Sequence, residues 1–339
     1  MVVGKVYIAE IHPKSCRGKY NGLVHLFWQV GGFIITLSSF AIGDNWRVMV
    51  ALASIPGLCV ALPMLCFNMS ESPRYLLIRS TDKAQAAVYD IAKMNGVAPP
   101  RGRLAGLKST STRDLDDQSV IIGLMFSPSL KTVTVVGLLI YLLLNFGAYS
   151  NFSYLLKYLT MTKQEHIKQH FYFAMYCGKA IGCVTGSFII ERTGRIALMG
   201  PGFFIASFFT LMMVDPFRIE SDHFSVTAAA INFIGEELVW ISFSTYIPEA
   251  YPSVIRSVAS GYLTGAGHMG AIVSSFFGPT WMNHSVHLPF YLNSAAYAMA
   301  CLLTCALKKD TAGEALVDEI IESDTLDQKA PPDSATHTI

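Results

Sequence analysis

Long apolar runs alternate with short polar segments along most of the 339-residue chain. Eight runs are each about 20 residues long, which is the length that a helix needs to cross the hydrocarbon core of a bilayer. Backbone polar groups cannot stay unpaired in lipid, so we predict that each run is a transmembrane α-helix. The predicted spans are Tyr20–Ile42, Val48–Phe67, Val133–Leu155, Phe171–Ile190, Ile196–Val214, Phe224–Ile247, Ser257–Trp281 and Leu288–Leu307.

A long polar segment separates the second predicted span from the third. We therefore divide the chain into four regions. Residues 1–67 contain the first two spans, and residues 68–132 form a cytoplasmic loop. Residues 133–308 form an all-α bundle of six spans, and residues 309–339 form an acidic, disordered tail.

The loop carries one helical pattern of its own. Ala84–Met94 is predicted to form an amphipathic helix, with Ala87, Ile91 and Met94 on one side. The proline- and glycine-containing stretch over 99–117 is predicted to be a mobile linker.

Charged residues make up 14% of the chain, whereas a soluble domain carries roughly 25%. This argues against a soluble enzyme, a nucleic-acid-binding protein and a disordered regulator, and the net charge of +1 gives no sign of a polyanion partner. We find no phosphate-binding loop, Ser-His-Asp set or metal-ligand cluster, so we predict no enzyme activity, no cofactor and no metal. The seven cysteines are interpreted as packing residues.

The Lys and Arg residues indicate the orientation of the spans. If the segment before the first span is cytoplasmic, the basic residues outside the spans divide nineteen to five in favour of the cytoplasmic side, with Lys5 among the nineteen. This agrees with the positive-inside rule, and we therefore expect both termini in the cytoplasm.

Four charged motifs lie at the predicted cytoplasmic helix ends. The first and the last share one pattern, a glutamate followed by a proline three positions on and an arginine four further, which indicates an internal repeat of two halves. An arginine fork suits a reversible pair with a carboxylate, so we interpret the motifs as gate ion pairs rather than as solvated membrane anchors. The predicted gate residues are Glu10, Arg17, Glu71, Arg74, Glu191, Arg192, Arg195, Glu249 and Arg256.

Together these motifs resemble the major facilitator superfamily in its branch of sugar and organic-ion porters. The segments HLFWQVG at 25–31, FSP at 126–128 and YIPEAYP at 246–252 are similar to the synaptic-vesicle-two-related family. The resemblance covers about residues 4–308, and it implies a bundle of about eight helices that match helices five to twelve of a twelve-helix transporter. Residues 1–9 would then match the last turns of helix four.

The chain departs from this family pattern in two ways. Helices one to three and most of helix four have no counterpart, so that half of the substrate site expected from the family is missing and Glu10 and Arg17 lose their usual neighbours. Glu191 stands where the family more often has Asp, a change that keeps the charge.

Ionisable groups at membrane depth are costly and are therefore functional candidates. Lys179 lies near the middle of its span, where it either serves the substrate or pairs with an acid that holds the bundle together. Glu236 and Glu237 are candidates for that acid or for a proton-coupling carboxylate, and as neighbours they are about 100° apart on a helix, so at most one is expected to face squarely inward.

Other polar and aromatic residues within the spans complete the set of candidates. His25 and His268 are packing residues or proton relays, and amides and aromatic rings could bind a substrate or serve packing and the membrane interface. The substrate candidates beside Lys179, Glu236 and Glu237 are His25, Gln29, Asn145, Tyr149 and His268, with weaker ones at Tyr141, Asn151, Asn232, Trp240, Tyr262 and Asn293.

We interpret the chain as a multi-pass secondary transporter of a small polar solute or organic ion in the plasma membrane or a vesicle membrane. Its partners would be the lipid bilayer and the substrate. Two alternatives stay open: a transport-incompetent scaffold or regulator that assembles with a full-length homologue, and a fragment of an active transporter.

Overall fold

A computed structural model describes residues 2–43, 45–66, 71–104, 118–214 and 221–316. The described part is all-helical and contains no strand. Its α-helices are α1 (Val2–Ile11), α2 (Arg17–Ile42), α3 (Trp46–Cys66), α4 (Pro73–Arg79), α5 (Thr81–Met94), α6 (Gln118–Met125), α7 (Lys131–Met161), α8 (Lys168–Thr193), α9 (Arg195–Met213), α10 (Asp222–Ala250), α11 (Arg256–His284) and α12 (Leu288–Thr304).

Each of the eight predicted spans corresponds to one helix, namely α2, α3 and α7 to α12. Five of these, α2 and α7 to α10, are long and apolar enough to cross a membrane, and α3 and α12 supply shorter apolar segments. Helix α11 is not among the five, although it has 29 residues. Its many Gly, Ser, Thr and His residues lower its hydropathy.

The six later helices form a bundle in which α10 lies between α8 and α9, and α7 lies between α11 and α12. Helix α2 packs on α8, α3 packs along α2, and α1 contacts α2, α10 and α11. Gly178 and Gly182, one helical turn apart on α8, both face α10. A Cβ atom at Gly178 would lie 2.4 Å from the carbonyl oxygen of Ala230, so glycine permits this close helix approach.

The polar loop contains more structure than the sequence pattern predicts. Ser72 and Ser80 cap α4 and α5 through their side-chain oxygens. The amphipathic helix is confirmed as α5, and Ala84 and Ala87 are buried on one face. Met94 is the last residue of α5 and is 74% exposed, so the buried part of this face ends before it.

The segment after α12 also differs from the prediction of a disordered tail. Thr311 and Leu316 are buried, so the packed part of the chain extends to residue 316. The rest of the predicted tail, the C-terminal part of the predicted linker, and the end of the predicted span Val48–Phe67 lie outside the described residues. The predicted division at positions 67, 132 and 308 stays a prediction.

Candidate functional site

A cavity of about 1280 Å³ lies between α2, α3, α7, α8, α10 and α11. All eight main substrate candidates line it. Lys5, which the sequence analysis assigned to the cytoplasmic side, lines it as well. These residues are Lys5, His25, Gln29, Asn145, Tyr149, Lys179, Glu236, Glu237 and His268.

One wall of the cavity contains a buried ion pair. Nζ of Lys179 donates to Oε1 of Glu236 over 3.1 Å, and it also lies 5.4 Å from the ring centroid of Phe233. The hydroxyl of Tyr297 donates to Oε2 of Glu236 over 3.2 Å. The ammonium and the phenol together satisfy a carboxylate that is almost completely buried, and the ring face of Phe233 contacts the ammonium.

The neighbouring carboxylate engages a different helix. Nε2 of Gln29 donates to Oε2 of Glu237 over 2.9 Å, and Nδ1 of His25 lies 3.3 Å from Oε1. The other ring nitrogen of His25 lies 3.1 Å from the hydroxyl of Ser244. Glu236 therefore faces α8 and α12 while Glu237 faces α2, and the expected rotation between neighbours sends the two carboxylates to different partners.

The remaining candidates fall into two groups. Asn145 lines the cavity but donates to the Tyr141 carbonyl of its own helix, and the rings of Tyr149 and His268 lie 6.3 Å apart at its rim. Tyr141 and Trp240 supply aromatic wall.

Three of the weaker candidates bind elsewhere in the bundle. Nδ2 of Asn293 donates to Oδ1 of Asn151, and Asn232 donates to the Ala206 carbonyl and to Thr210. None of the three asparagines lines the cavity, so we interpret their described contacts as structural. Tyr262 does not line the cavity either.

Two crossed ion pairs lie beside the cavity, next to Pro248, which lines it. Nη1 of Arg17 lies 3.0 Å from Oε1 of Glu249, and Nη1 of Arg256 lies 2.9 Å from Oε1 of Glu10. Each glutamate of the repeated motif thus pairs with the arginine of the other copy. All four side chains are almost fully buried, and the pairs join α1 and α2 to the bundle formed by the later helices.

Glu249 is the centre of this network. Nε and Nη2 of Arg195 donate to its two oxygens over 2.9 and 3.0 Å, which is a bidentate pair. The hydroxyl of Thr311, in the segment after α12, also donates to Oε2 of Glu249. Two guanidinium groups and one hydroxyl therefore balance one buried carboxylate.

Glu191 extends the network to the start of α2. Oε2 of Glu191 accepts from Nη1 of Arg195 over 3.0 Å, and its Oε1 accepts from the backbone N–H groups of Gly18 and Lys19. A carboxylate at a helix N-terminus also interacts favourably with the helix dipole. Glutamate in place of the more usual Asp keeps its pairing.

The structure does not bring every predicted gate residue into this network. Arg192 is exposed in the last turn of α8, and within the described part of the chain no ion pair reaches it. Glu71 precedes α4 and Arg74 lies in its first turn, on the segment whose Ser72 donates its hydroxyl to Oε2 of Glu10.

Arg256 is held in place by the backbone around it. Nε donates to the carbonyl oxygens of Pro248 and Tyr251 over 2.6 and 3.2 Å. Tyr251 in turn bonds Thr134 over 2.9 Å, and burial raises the pKa of its phenol to about 12, so the hydroxyl stays protonated at physiological pH. These contacts fix the guanidinium toward Glu10.

Sequence reasoning missed Lys5, Tyr297, Asp310 and Thr311. Asp310 caps α9 by accepting from the backbone N–H groups of Arg195 and Ile196 over 3.0 and 2.7 Å. The preceding Gly194 has φ of +97°, and a Cβ atom there would lie 2.7 Å from Oδ2 of Asp310. The Gly-Arg turn therefore fits its cap closely, but an acid that lies 115 positions away in the sequence gives no local signal.

The all-helical fold, with five helices that are long and apolar enough to cross a membrane, is that of an integral, multi-pass membrane protein. Residues 2–320 match the family model "Sugar (and other) transporter", and the chain belongs to this family. The fold is similar to that of the major facilitator superfamily proton:xylose symporter XylE bound to 6-bromo-6-deoxy-D-glucose, with a TM-score of 0.68 and 18% identity. That match covers 93% of this chain and 69% of the symporter.

The curated relatives confirm the resemblance to the synaptic-vesicle-two-related family. The chain is 27% identical to the synaptic vesicle 2-related protein of Pongo abelii, over 91% of this chain and 58% of that protein. It is 23% identical to organic cation/carnitine transporter 2 of Homo sapiens, over 92% of this chain and 54% of that protein. The chain therefore spans between half and two thirds of the length of these relatives, which belong to transporter families rather than enzyme families.

Proposed function

We propose that the protein is a secondary transporter that moves a small polar solute or an organic ion across a membrane by alternating access. The cavity is the substrate site, and the ion-pair network around Glu249 and Arg256 is its cytoplasmic gate. The observation that carries this proposal is the crossed pairing of Glu10 with Arg256 and of Glu249 with Arg17, next to Pro248, which lines the cavity.

The crossed pairs suit a gate because each of them joins the two sides that would have to separate. Opening would part α1 and α2 from α10 and α11 and hydrate four charged groups at once. Since the desolvation cost of a buried ion pair offsets much of its attraction, hydrated and paired states can lie close in free energy. The described conformation, with both pairs formed, corresponds to a transporter closed to the cytoplasm.

The carboxylates inside the cavity suit coupling to an ion or a proton. Glu237 is buried between His25 and Gln29, and a proton added to this pair would change the charge that faces the substrate. Glu236 is instead held by Lys179 and Tyr297, so we assign the coupling role to Glu237 and a structural role to Glu236.

We further propose that the gate faces the cytoplasm in the plasma membrane or a vesicle membrane, as the distribution of basic residues predicts. The relatives' names, which include a xylose symporter and a carnitine transporter, supply the first probes.

The experiment is counterflow in liposomes that contain the purified 339-residue chain. Liposomes are preloaded with unlabelled D-xylose or L-carnitine and diluted into labelled solute, with protein-free liposomes as the control. Transient accumulation of one labelled solute above the control is expected. Correct insertion without counterflow of either probe, or of a wider panel of sugars and organic ions, would contradict the proposal.

A further inference from the structure

The cavity contains two lysines in different electrostatic situations. Lys179 is paired with Glu236. Lys5, on α1, lines the same cavity, but among the described residues no group forms a hydrogen bond or an ion pair with its ammonium. A cation in an apolar membrane environment is costly unless an anion balances it.

The carboxylates of the cavity do not fill this role at contact distance. Glu236 is occupied by Lys179 and Tyr297. Glu237 accepts from Gln29 at Oε2, while its Oε1 lies 3.3 Å from Nδ1 of His25 without a hydrogen bond. Glu237 acts on Lys5 through the longer-range attraction between their charges. Each carboxylate of the cavity thus has a side-chain nitrogen within 3.3 Å, whereas the ammonium of Lys5 has no side-chain contact of this kind among the described residues.

The remaining walls are aromatic and apolar. Trp28, Tyr141, Tyr149 and Trp240 line the cavity together with aliphatic residues of α2 and α3. Such walls bury the apolar body of a ligand and leave a few polar groups to set its orientation. A ligand that fits this arrangement has an apolar or aromatic body and one anionic group.

We propose that the cavity binds organic anions, with the ammonium of Lys5 as the group that pairs with the ligand's carboxylate. This inference rests on the proposed function, because it gives a substrate class to the same cavity. In a cavity selective for organic cations, we would expect the group without a side-chain contact to be a carboxylate rather than the ammonium of Lys5.

The test measures binding to the 339-residue chain in lipid nanodiscs by the quenching of tryptophan fluorescence. Three probes share one aromatic body and differ in charge: 4-phenylbutyrate, its neutral amide, and 4-phenylbutylammonium. Because every 1.4 kcal/mol changes affinity tenfold, the loss of one charge-assisted contact predicts that the amide and the ammonium bind at least about tenfold more weakly than the carboxylate.

The variants are Lys5→Gln, Lys5→Arg and, as the matched control, Lys14→Gln, which removes an exposed positive charge outside the cavity. Lys5→Gln is expected to remove the preference for the carboxylate and to leave the binding of the amide unchanged. Lys5→Arg is expected to keep the preference, and Lys14→Gln to behave as the parent chain. Size-exclusion profiles check that each variant stays folded.

Three results would overturn the inference: equal binding of carboxylate and amide, a preference that persists in Lys5→Gln, or no binding of any probe by folded protein. The proposed function fails differently. Binding of the anion without counterflow would contradict transport alone, and counterflow of a neutral or cationic solute without binding of the anion would contradict this inference alone.

Discussion

Nη1 of Arg17 lies 3.0 Å from Oε1 of Glu249, although 232 positions separate the two residues in the sequence. The reciprocal contact, Arg256 with Glu10, spans 246 positions. Each motif copy supplies the acid for one pair and the base for the other. The internal repeat thus becomes a two-fold arrangement in which neither copy completes an ion pair by itself.

Arg195 and Arg192 provide a matched test of the network. Arg195→Lys keeps the charge but loses the guanidinium fork, and each charge-assisted hydrogen bond lost from a buried site costs about 1.5–3 kcal/mol. Arg192→Lys changes an exposed side chain and should stay within about 0.5 kcal/mol of the parent. Thermal unfolding of the two purified variants in detergent checks this, and equal stabilities would contradict the burial assigned to Arg195.

Glu10 and Arg256 are predicted to be energetically coupled. In a double-mutant cycle with Glu10→Gln and Arg256→Gln, the second substitution should cost less in the presence of the first. Contacting charged residues commonly give a coupling energy of about 0.5–3 kcal/mol. Additive effects on the free energy of unfolding would show that the pair is not formed. As a control, Glu314→Gln, which removes the acid of an exposed pair with Lys309, replaces Glu10→Gln in the cycle and should be additive with Arg256→Gln.

Lys179 and Glu236 are predicted to form a structural pair within the cavity wall. Lys179→Met leaves the Glu236 carboxylate buried without its cation, at a cost of about 3–5 kcal/mol. Adding Glu236→Gln should restore most of that stability, since an uncharged side chain can keep the hydrogen bond from Tyr297. A double variant that is less stable than Lys179→Met would contradict the assignment.

The glycines of the spans are predicted to differ sharply in their tolerance of alanine. A Cβ atom at Gly270 would lie 2.1 Å from the carbonyl oxygen of Leu142 on α7, so Gly270→Ala forces two backbones apart and should lower expression and thermal stability. Gly265, on the same helix, has nothing within 4 Å of such an atom. Gly265→Ala should therefore be neutral, and similar losses in both variants would argue against the packing of α7 on α11.

Hydropathy predicted the helices well because lipid permits few alternatives for a long apolar run. It set their ends less well, since α7 continues to Met161, six residues past the predicted limit at Leu155. Lys157 and Thr160, both exposed, are polar enough to leave the hydrocarbon and still continue the helix. Hydropathy marks where the apolar run ends, whereas the helix continues for as long as its backbone hydrogen bonds are formed.

The chemistry of the site was predictable in kind but not in pairing. Charge at membrane depth singled out Lys179, Glu236 and Glu237, and motif spacing singled out Glu10, Arg17, Glu249 and Arg256. Which acid meets which base depends on how distant helices pack, and no local pattern contains that information. Lys5 shows the same limit, because a residue near the end of a short helix can face either the cytoplasm or the cavity.

In the proposed mechanism, the ion pairs of Glu249 close the cavity to the cytoplasm. Ser260 lines the cavity and is buried, one turn into α11. A cysteine placed there by Ser260→Cys can be labelled with a membrane-impermeant maleimide in inside-out vesicles. Labelling at that position is quantified by mass spectrometry, with and without Glu249→Gln.

We expect slow labelling in the Ser260→Cys chain and labelling at least about tenfold faster once Glu249→Gln is added, because a shift of 1.4 kcal/mol toward the open gate raises the rate tenfold. The exposed control Glu314→Gln should leave the rate unchanged. Rapid labelling with the network intact, or a labelling rate that Glu249→Gln does not raise, would show that the ion pairs of Glu249 do not close the cavity.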